Sequence, residues 1–246
     1  SAAVAGLGAG NLTISGASVG TKQGFSIIKY TGNNNPSGGT LAHGLDGPPE
    51  FCIFKDLDGT DVWHIHHKDL SIISGGVGGY EYLQFTNAAE AVPGATGITD
   101  GGITSTVVTF GSNRAELNGA NDYIAYMWQS IPGLQKFGKY EGLNSSNGPF
   151  IDLGFRPAIM IFKDIDAAQN WIIIDDKRSP YNLVLARLFP NSDLIEYTNA
   201  DIGDFCSNGF RFRGNEAQFN NSETYVYAAW AADPSGNLYR GQSNAH

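Results

Sequence analysis

The chain is short of basic residues: 15 Lys and Arg stand against 24 Asp and Glu, for a formal net charge of −9 at pH 7. Phosphate backbones are held by clustered cations, so this balance excludes nonspecific binding to nucleic acid. Charge of either sign is sparse, at 16% of residues. No apolar run reaches the ~20 residues that cross a bilayer as a helix, which predicts no membrane span. The opening SAAVAGLGAGNLTISGASVG has neither the basic start nor the apolar middle of a signal peptide. Cysteine is nearly absent. Cys52 and Cys206 make no disulfide framework and are expected to be two buried, reduced thiols of a protein made in a reducing compartment, with a bridge between the repeats as the other reading. No window of useful length carries a helical period, which argues against helical crossovers between parallel strands.

What is present is β-forming. The sequence holds 32 Gly, 14 Phe, 11 Tyr and 4 Trp, with frequent Asn at the apparent turns and many Val and Ile. Aromatic and β-branched residues pack well on a pleated sheet, while Gly and Asn serve tight turns. Strands are expected at Phe25–Tyr30, Thr40–His43, Phe51–Lys55, Val62–His67, Tyr80–Phe85, Thr106–Phe110 and Tyr123–Trp128. A second series is expected at Phe137–Tyr140, Phe150–Leu153, Ile159–Lys163, Trp171–Asp175, Leu183–Leu188, Gly209–Arg213 and Tyr225–Trp230.

The two series are copies. Ile53-Phe54-Lys55-Asp56 returns as Ile161-Phe162-Lys163-Asp164, and Trp63 as Trp171. Lys29-Tyr30-Thr31-Gly32 matches Lys139-Tyr140-Glu141-Gly142, Gly44-Leu45 matches Gly154-Phe155, and Tyr123–Trp128 matches Tyr225–Trp230. A whole structural unit has been duplicated. Shared positions are mostly apolar and aromatic, and polar positions are read as differing between copies. Framework repeated without a reactive constellation points to a binding or structural protein rather than an enzyme. The fold class is therefore all-β: two tandem, internally duplicated antiparallel β-sandwiches. Residues 1–23 are expected to be an extended N-terminal arm, 24–131 the first sandwich, 136–233 the second, and 234–246 a polar C-terminal tail.

Five residues are candidate metal ligands. In Trp63-His64-Ile65-His66-His67, alternation puts His64 and His66 on one strand face, where two imidazoles can chelate a metal given a further ligand. The other reading is a histidine-bearing face partly in solvent or against a partner subunit. Ile172 and Ile174 stand at the matching positions, so the fold does not require histidine there. Asp56, Asp58 and Asp61 resemble part of a calcium loop without its distal glutamate. Asp166 follows Asp164 in the second copy, but Gln169 replaces the third acid, so a solvated hairpin is the competing reading. Gly6-Leu7-Gly8-Ala9-Gly10 and Gly75-Gly76-Val77-Gly78-Gly79 lack the strand and helix that a nucleotide loop needs. No nucleophile elbow is present, and no cofactor is expected. The four Trp form two repeat-equivalent pairs and are expected in the core. Tyr80, Tyr82 and Tyr181 fall in loops and are the candidate surface contacts, since aromatic faces stack on sugars and anchor interfaces.

Several segments together resemble a known family. They are Gly24-Phe25-Ser26-Ile27-Ile28-Lys29-Tyr30-Thr31-Gly32-Asn33, His43-Gly44-Leu45, Tyr82-Leu83-Gln84-Phe85-Thr86-Asn87 and Tyr123-Ile124-Ala125-Tyr126. The second half adds Lys136-Phe137-Gly138-Lys139-Tyr140, Gly148-Pro149-Phe150, Gly154-Phe155-Arg156-Pro157-Ala158, Ser179-Pro180-Tyr181-Asn182 and Phe205-Cys206-Ser207-Asn208-Gly209-Phe210. Residues 24–233 resemble the duplicated domain of tail-fibre and appendage proteins of marine phages, above all cyanophages. The resemblance implies a concanavalin- or laminin-G-like jelly roll in a virion structural protein, and it supplies no catalytic residues.

The expected function is thus that of a non-enzymatic phage structural protein, a tail fibre, an appendage or a capsid decoration. It would serve particle assembly and contact with the host surface. The expected place is the virion, after synthesis in the host cytoplasm. Expected partners are other virion proteins, docked through residues 1–23, further copies of the chain in a homo-oligomer, and a host surface glycan. The alternative is a glycan-binding module, and a third reading is a polysaccharide hydrolase on a sandwich scaffold.

Overall fold

The computed structural model describes residues 6–73, 79–85 and 97–233. The C-terminal tail from 234 and most of the Gly75–Gly79 run lie outside the described residues. One compact unit ends at Gln129 and a second begins at Ser130.

The first unit opens with β1 (Thr13–Gly20), β2 (Phe25–Thr31), β3 (Gly39–Ala42), β4 (Phe51–Asp56) and β5 (His64–His67). It continues with β6 (Ile72–Ile73), β7 (Gly79–Tyr80), β8 (Leu83–Gln84), β9 (Ile98–Ile103) and β10 (Val107–Phe110). A single helical turn, α1 (Ala115–Asn118), leads into β11 (Asp122–Trp128). These form a sheet in the order β1-β2-β11-β4-β5-β8 and another in the order β3-β10-β9-β7-β6. The second unit holds β12 (Gln135–Glu141), β13 (Phe150–Asp152), β14 (Pro157–Asp164), β15 (Ile172–Asp175), β16 (Gly203–Cys206), β17 (Gly209–Phe212) and β18 (Thr224–Ala231). Its sheets run β12-β18-β14-β15 and β13-β17-β16. Every named strand pair is antiparallel, as expected for an all-β sandwich.

Alternation builds each core. In β2 the buried residues are Ser26, Ile28 and Tyr30, and in β11 they are Tyr123, Ala125 and Met127. With Cys52 and Phe54 they face Leu41, Val108, Phe110 and Ile98 from the opposite sheet. The second unit repeats this with Tyr140, Met160, Phe162, Ile174 and Tyr225 facing Ile151, Phe205, Phe210 and Phe212. Each such large side chain contributes about 1.5–3 kcal/mol by leaving water. The register is duplicated too: Tyr30 pairs with Tyr123 and Tyr140 with Tyr225. Phe54 meets the Phe110 ring edge-on at 5.6 Å, and Phe162 meets Phe212 the same way at 5.6 Å.

Some expectations are corrected. Of the expected arm, residues 1–5 lie outside the described residues, and residues 11–20 are not a free arm. Thr13–Gly20 pairs along β2 as an edge strand, Leu12 joins the core, and the Thr40 N–H donates to Asn11 Oδ1 at 2.7 Å. Backbone pairing holds this Gly- and Ser-rich strand, so its side chains carry little of the usual alternation. The expected strand at Tyr80–Phe85 breaks into β7 and β8, which belong to different sheets. Leu183–Leu188 forms only isolated bridges, Val184 to Gly203, Arg187 to Tyr197 and Leu188 to Ile173. The strands β6, β9 and β16 and the turn α1 were not expected. Among the described residues no helix is long and apolar enough to cross a membrane.

Candidate functional site

One end of each unit is closed by the same polar lattice. The Tyr30 and Tyr123 rings stack at 5.2 Å, and Tyr140 and Tyr225 stack at 5.0 Å. The Tyr30 hydroxyl donates to the Leu117 carbonyl oxygen at 2.7 Å, as the Tyr140 hydroxyl donates to that of Phe219 at 2.7 Å. Asn118 Oδ1 accepts the Asn33 N–H at 3.0 Å, and Asn220 Oδ1 accepts the Leu143 N–H at 2.8 Å. Gly32 and Gly142 permit this closure: a Cβ on either would overlap a backbone carbonyl oxygen, of Gly119 or of Asn221. Part of the polar framework is therefore repeated with the apolar one, while other polar positions differ as expected, His64 and His66 standing against Ile172 and Ile174.

The acidic loop belongs to this lattice. Asp56 Oδ1 accepts the N–H groups of Asp58 and Gly59, both at 2.9 Å, and Oδ2 accepts from Asn121 Nδ2 at 2.7 Å. Asp58 Oδ2 accepts the Asp122 N–H at 2.8 Å. Burial pushes the Asp56 carboxyl up, but these hydrogen bonds outweigh it and hold it below the ordinary carboxylate value. Asp61 is raised by burial and then by its neighbour Asp56. Asp56 is buried at the base of the turn, while Leu57, Asp58, Gly59 and Thr60 are exposed, so the hairpin itself is solvated as expected. The second copy keeps the turn, with Asp164 Oδ1 accepting from Asp166 and Ala167 at 2.9 Å each, and Asp166 Oδ2 accepting from Thr224 at 2.8 Å.

The histidine strand is inside the first sandwich. His64, His66 and His67 are all buried, so that face is not partly solvated. His64 stacks on Tyr82 at 4.5 Å, and His66 meets Tyr80 edge-on at 4.8 Å. The Nδ1 atoms of both have no hydrogen-bond partner among the described residues. Burial pushes both imidazoles down to about 3, keeping them neutral. Arg114 completes this cluster. Its guanidinium lies 4.8 Å from the Tyr82 ring centre, donates to the Tyr82 hydroxyl at 3.1 Å, and pairs with Glu116 at 3.1 Å. The cluster occupies the volume that Ile172 and Ile174 fill with hydrocarbon in the second unit. Among the described residues no three His, Cys, Asp or Glu side chains converge as a metal site. The structure thus brings His64 and His66 together but leaves Asp56, Asp58 and Asp61 in the turn lattice.

The three candidate contact tyrosines part company. Tyr82 is 7% exposed and Tyr80 is partly buried, so neither is a loop contact. Tyr181 is 84% exposed. Ile195, at 87%, together with Leu194, Leu185 and Tyr197, adds exposed apolar surface to the segment between β15 and β16. Of the four Trp, Trp171 alone is fully buried; Trp63 is half-buried, Trp128 stacks on Phe25 at 4.6 Å, and Trp230 meets Phe137 at 5.8 Å. Both cysteines are free, but only Cys52 is buried and Cys206 is partly exposed. The repeated spacing Ala115-x-x-Asn118-x-x-x-x-Tyr123 and Ala217-x-x-Asn220-x-x-x-x-Tyr225 was the missed signal for the lattice.

A duplicated antiparallel sandwich with one shared polar lattice and two different side-chain clusters defines the class. The chain belongs to the family described as a domain of unknown function, DUF7483, whose model matches residues 1–234. That single match spans both copies and β1. No curated protein and no solved structure matches the chain.

Proposed function

We propose that the chain is a non-enzymatic structural protein of a phage particle, an appendage or decoration that serves assembly and contact with the host surface. The observation that carries this reading is the division of labour between interior and surface. The tyrosine and asparagine bonds of the interior lattice are repeated in both copies, while the strongly exposed apolar residues Tyr181, Leu194 and Ile195 belong to one copy. Apolar side chains this exposed contribute to contacts rather than to the core. Docking to other particle proteins uses the outer edge of β1 in place of a free arm. That edge is largely exposed and carries no charge and no proline, the usual defences against strand pairing. The same edge suits a second copy of the chain.

A glycan-binding role is the second reading, favoured by the exposure of Tyr181, whose ring face is available to stack on a sugar. Immunoelectron microscopy of purified particles with an antibody to this chain tests the first reading. Labelling at a fixed place on the particle supports it, and unlabelled particles overturn it. Binding to host envelope polysaccharide, lost in Tyr181→Ala, would carry the second.

A further inference from the structure

The two copies differ at one buried position of the shared lattice. In the first, Asn121 Nδ2 donates to Asp56 Oδ2 at 2.7 Å. In the second, Glu223 stands at the position of Asn121 and Asp164 at that of Asp56. A glutamate brings no standing hydrogen. Asp164 is fully buried, and its Oδ2 and the Glu223 Oε2 are both buried without a hydrogen-bond partner among the described residues. The two carboxyls lie within hydrogen-bond reach of each other. Two buried carboxylate oxygens in that position repel unless a proton lies between them.

We propose that Asp164 and Glu223 share one proton and act as a pH-operated latch between the β14 turn and the segment leading into β18. With the proton bound, the Glu223–Asp164 bond does what Asn121 does for Asp56. When the proton leaves, two like charges face each other and the latch opens. Among the described residues, the polar groups around the pair have partners of their own. On the Asp164 side, the Lys163 Nζ donates to the Asp164 and Ala167 carbonyl oxygens, and Asp166 is occupied by the Thr224 N–H. On the β18 side, the Tyr225 hydroxyl lies against the Asp164 carboxyl but gives its hydrogen to the Ala217 carbonyl oxygen at 2.6 Å. On β12, Tyr140 gives its hydrogen to the Phe219 carbonyl oxygen, and Glu141 Oε2 accepts from the Thr224 hydroxyl at 3.1 Å.

Burial, and then the Glu223 carboxyl, raise Asp164 to about 7. A carboxyl raised in the fold contributes stability below its unfolded value, near 3.9, and loses it as pH climbs to the folded value. The latch therefore weakens between about pH 4 and pH 7. This places the Asp164–Glu223 latch in the second unit, where the first has the Asn121 donor instead.

Hydrogen exchange of the full chain tests the latch. The amides of Asp166, Ala167 and Thr224 report it, because their partners are the Asp164 and Asp166 carboxylates. After correction for intrinsic exchange rates, their protection should fall on the order of a hundredfold from pH 5 to pH 8. The corresponding amides of Asp58, Gly59 and Asp122 should not share that fall. Glu223→Gln, which brings its own donor, should hold protection constant, and Glu223→Asn, which copies the first unit, provides a second variant should the first fold poorly. Equal protection of the wild type at both pH values overturns the proposal. So does an unchanged pH dependence in the variants. Full recovery of protection at pH 8 by millimolar calcium chloride also overturns it, by assigning the pair to a cation instead of a proton.

Discussion

Tyr225 is the structural double of Tyr123. Each hydroxyl donates to an alanine carbonyl oxygen at 2.6 Å, that of Ala217 or Ala115, and accepts a backbone N–H at 2.9 Å, from Asn221 or Gly119. A phenol held on both sides fixes the turn before the last strand of its unit. Burial raises both hydroxyls, so they stay protonated as donors; Tyr123 lies at about 12.

Tyr225→Phe removes the donor to Ala217 and the acceptor for Asn221 while preserving the ring. Each lost partner leaves a backbone group unpaired, so the variant should be destabilised by about 1–3 kcal/mol. Urea unfolding measures this, and Tyr123→Phe should behave alike because its bonds are the same.

Asn220 is fully buried and ties three strands of backbone together. It accepts from Leu143 at 2.8 Å and donates to Ser145 and Gly214 at 2.7 Å each. Asn220→Ala strands all three groups and should cost on the order of 3 kcal/mol or more. Asn220→Asp keeps the acceptor and loses both donors, so it should also destabilise strongly despite its matching shape.

The histidine cluster should make the first unit sensitive to acid. His64 and His66 are held neutral in the fold, at about 3, whereas the unfolded chain protonates them near 6.5. Their contribution is present above about pH 6.5 and is lost as pH falls toward 3. Between pH 6.5 and pH 5 the loss is about 2 kcal/mol for each histidine. His64→Ile with His66→Ile, which copies Ile172 and Ile174, should flatten that slope. An acid slope unchanged in the double variant would show that other groups set it.

Much of this was legible in the sequence. The duplication, the sandwich architecture and the inward alternation followed from Ile53–Asp56 against Ile161–Asp164 and from Tyr123–Trp128 against Tyr225–Trp230. Apolar repeats survive in sequence because their packing has no substitute. Other features were hidden for physical reasons. β1 is written in Gly, Ser and Ala, and its backbone hydrogen bonds leave no mark on side-chain pattern. The His64–His67 strand looks solvated by composition, but Tyr80 and Tyr82 cover it, and that cover depends on chain paths that sequence order does not reveal. The role of Glu223 emerges only when Asn121 and Asp56 are seen in contact.

The central claim is that the duplicated interior holds the fold and the unduplicated surface makes the contacts. One paired measurement addresses it: melting of the purified chain and incorporation into particles, for Tyr181→Ser with Ile195→Ser beside Tyr225→Phe. The surface variant should keep its stability within about 0.5 kcal/mol and lose incorporation. The interior variant should lose stability and, below its melting temperature, still incorporate. Incorporation of the surface variant at the wild-type level would contradict the account.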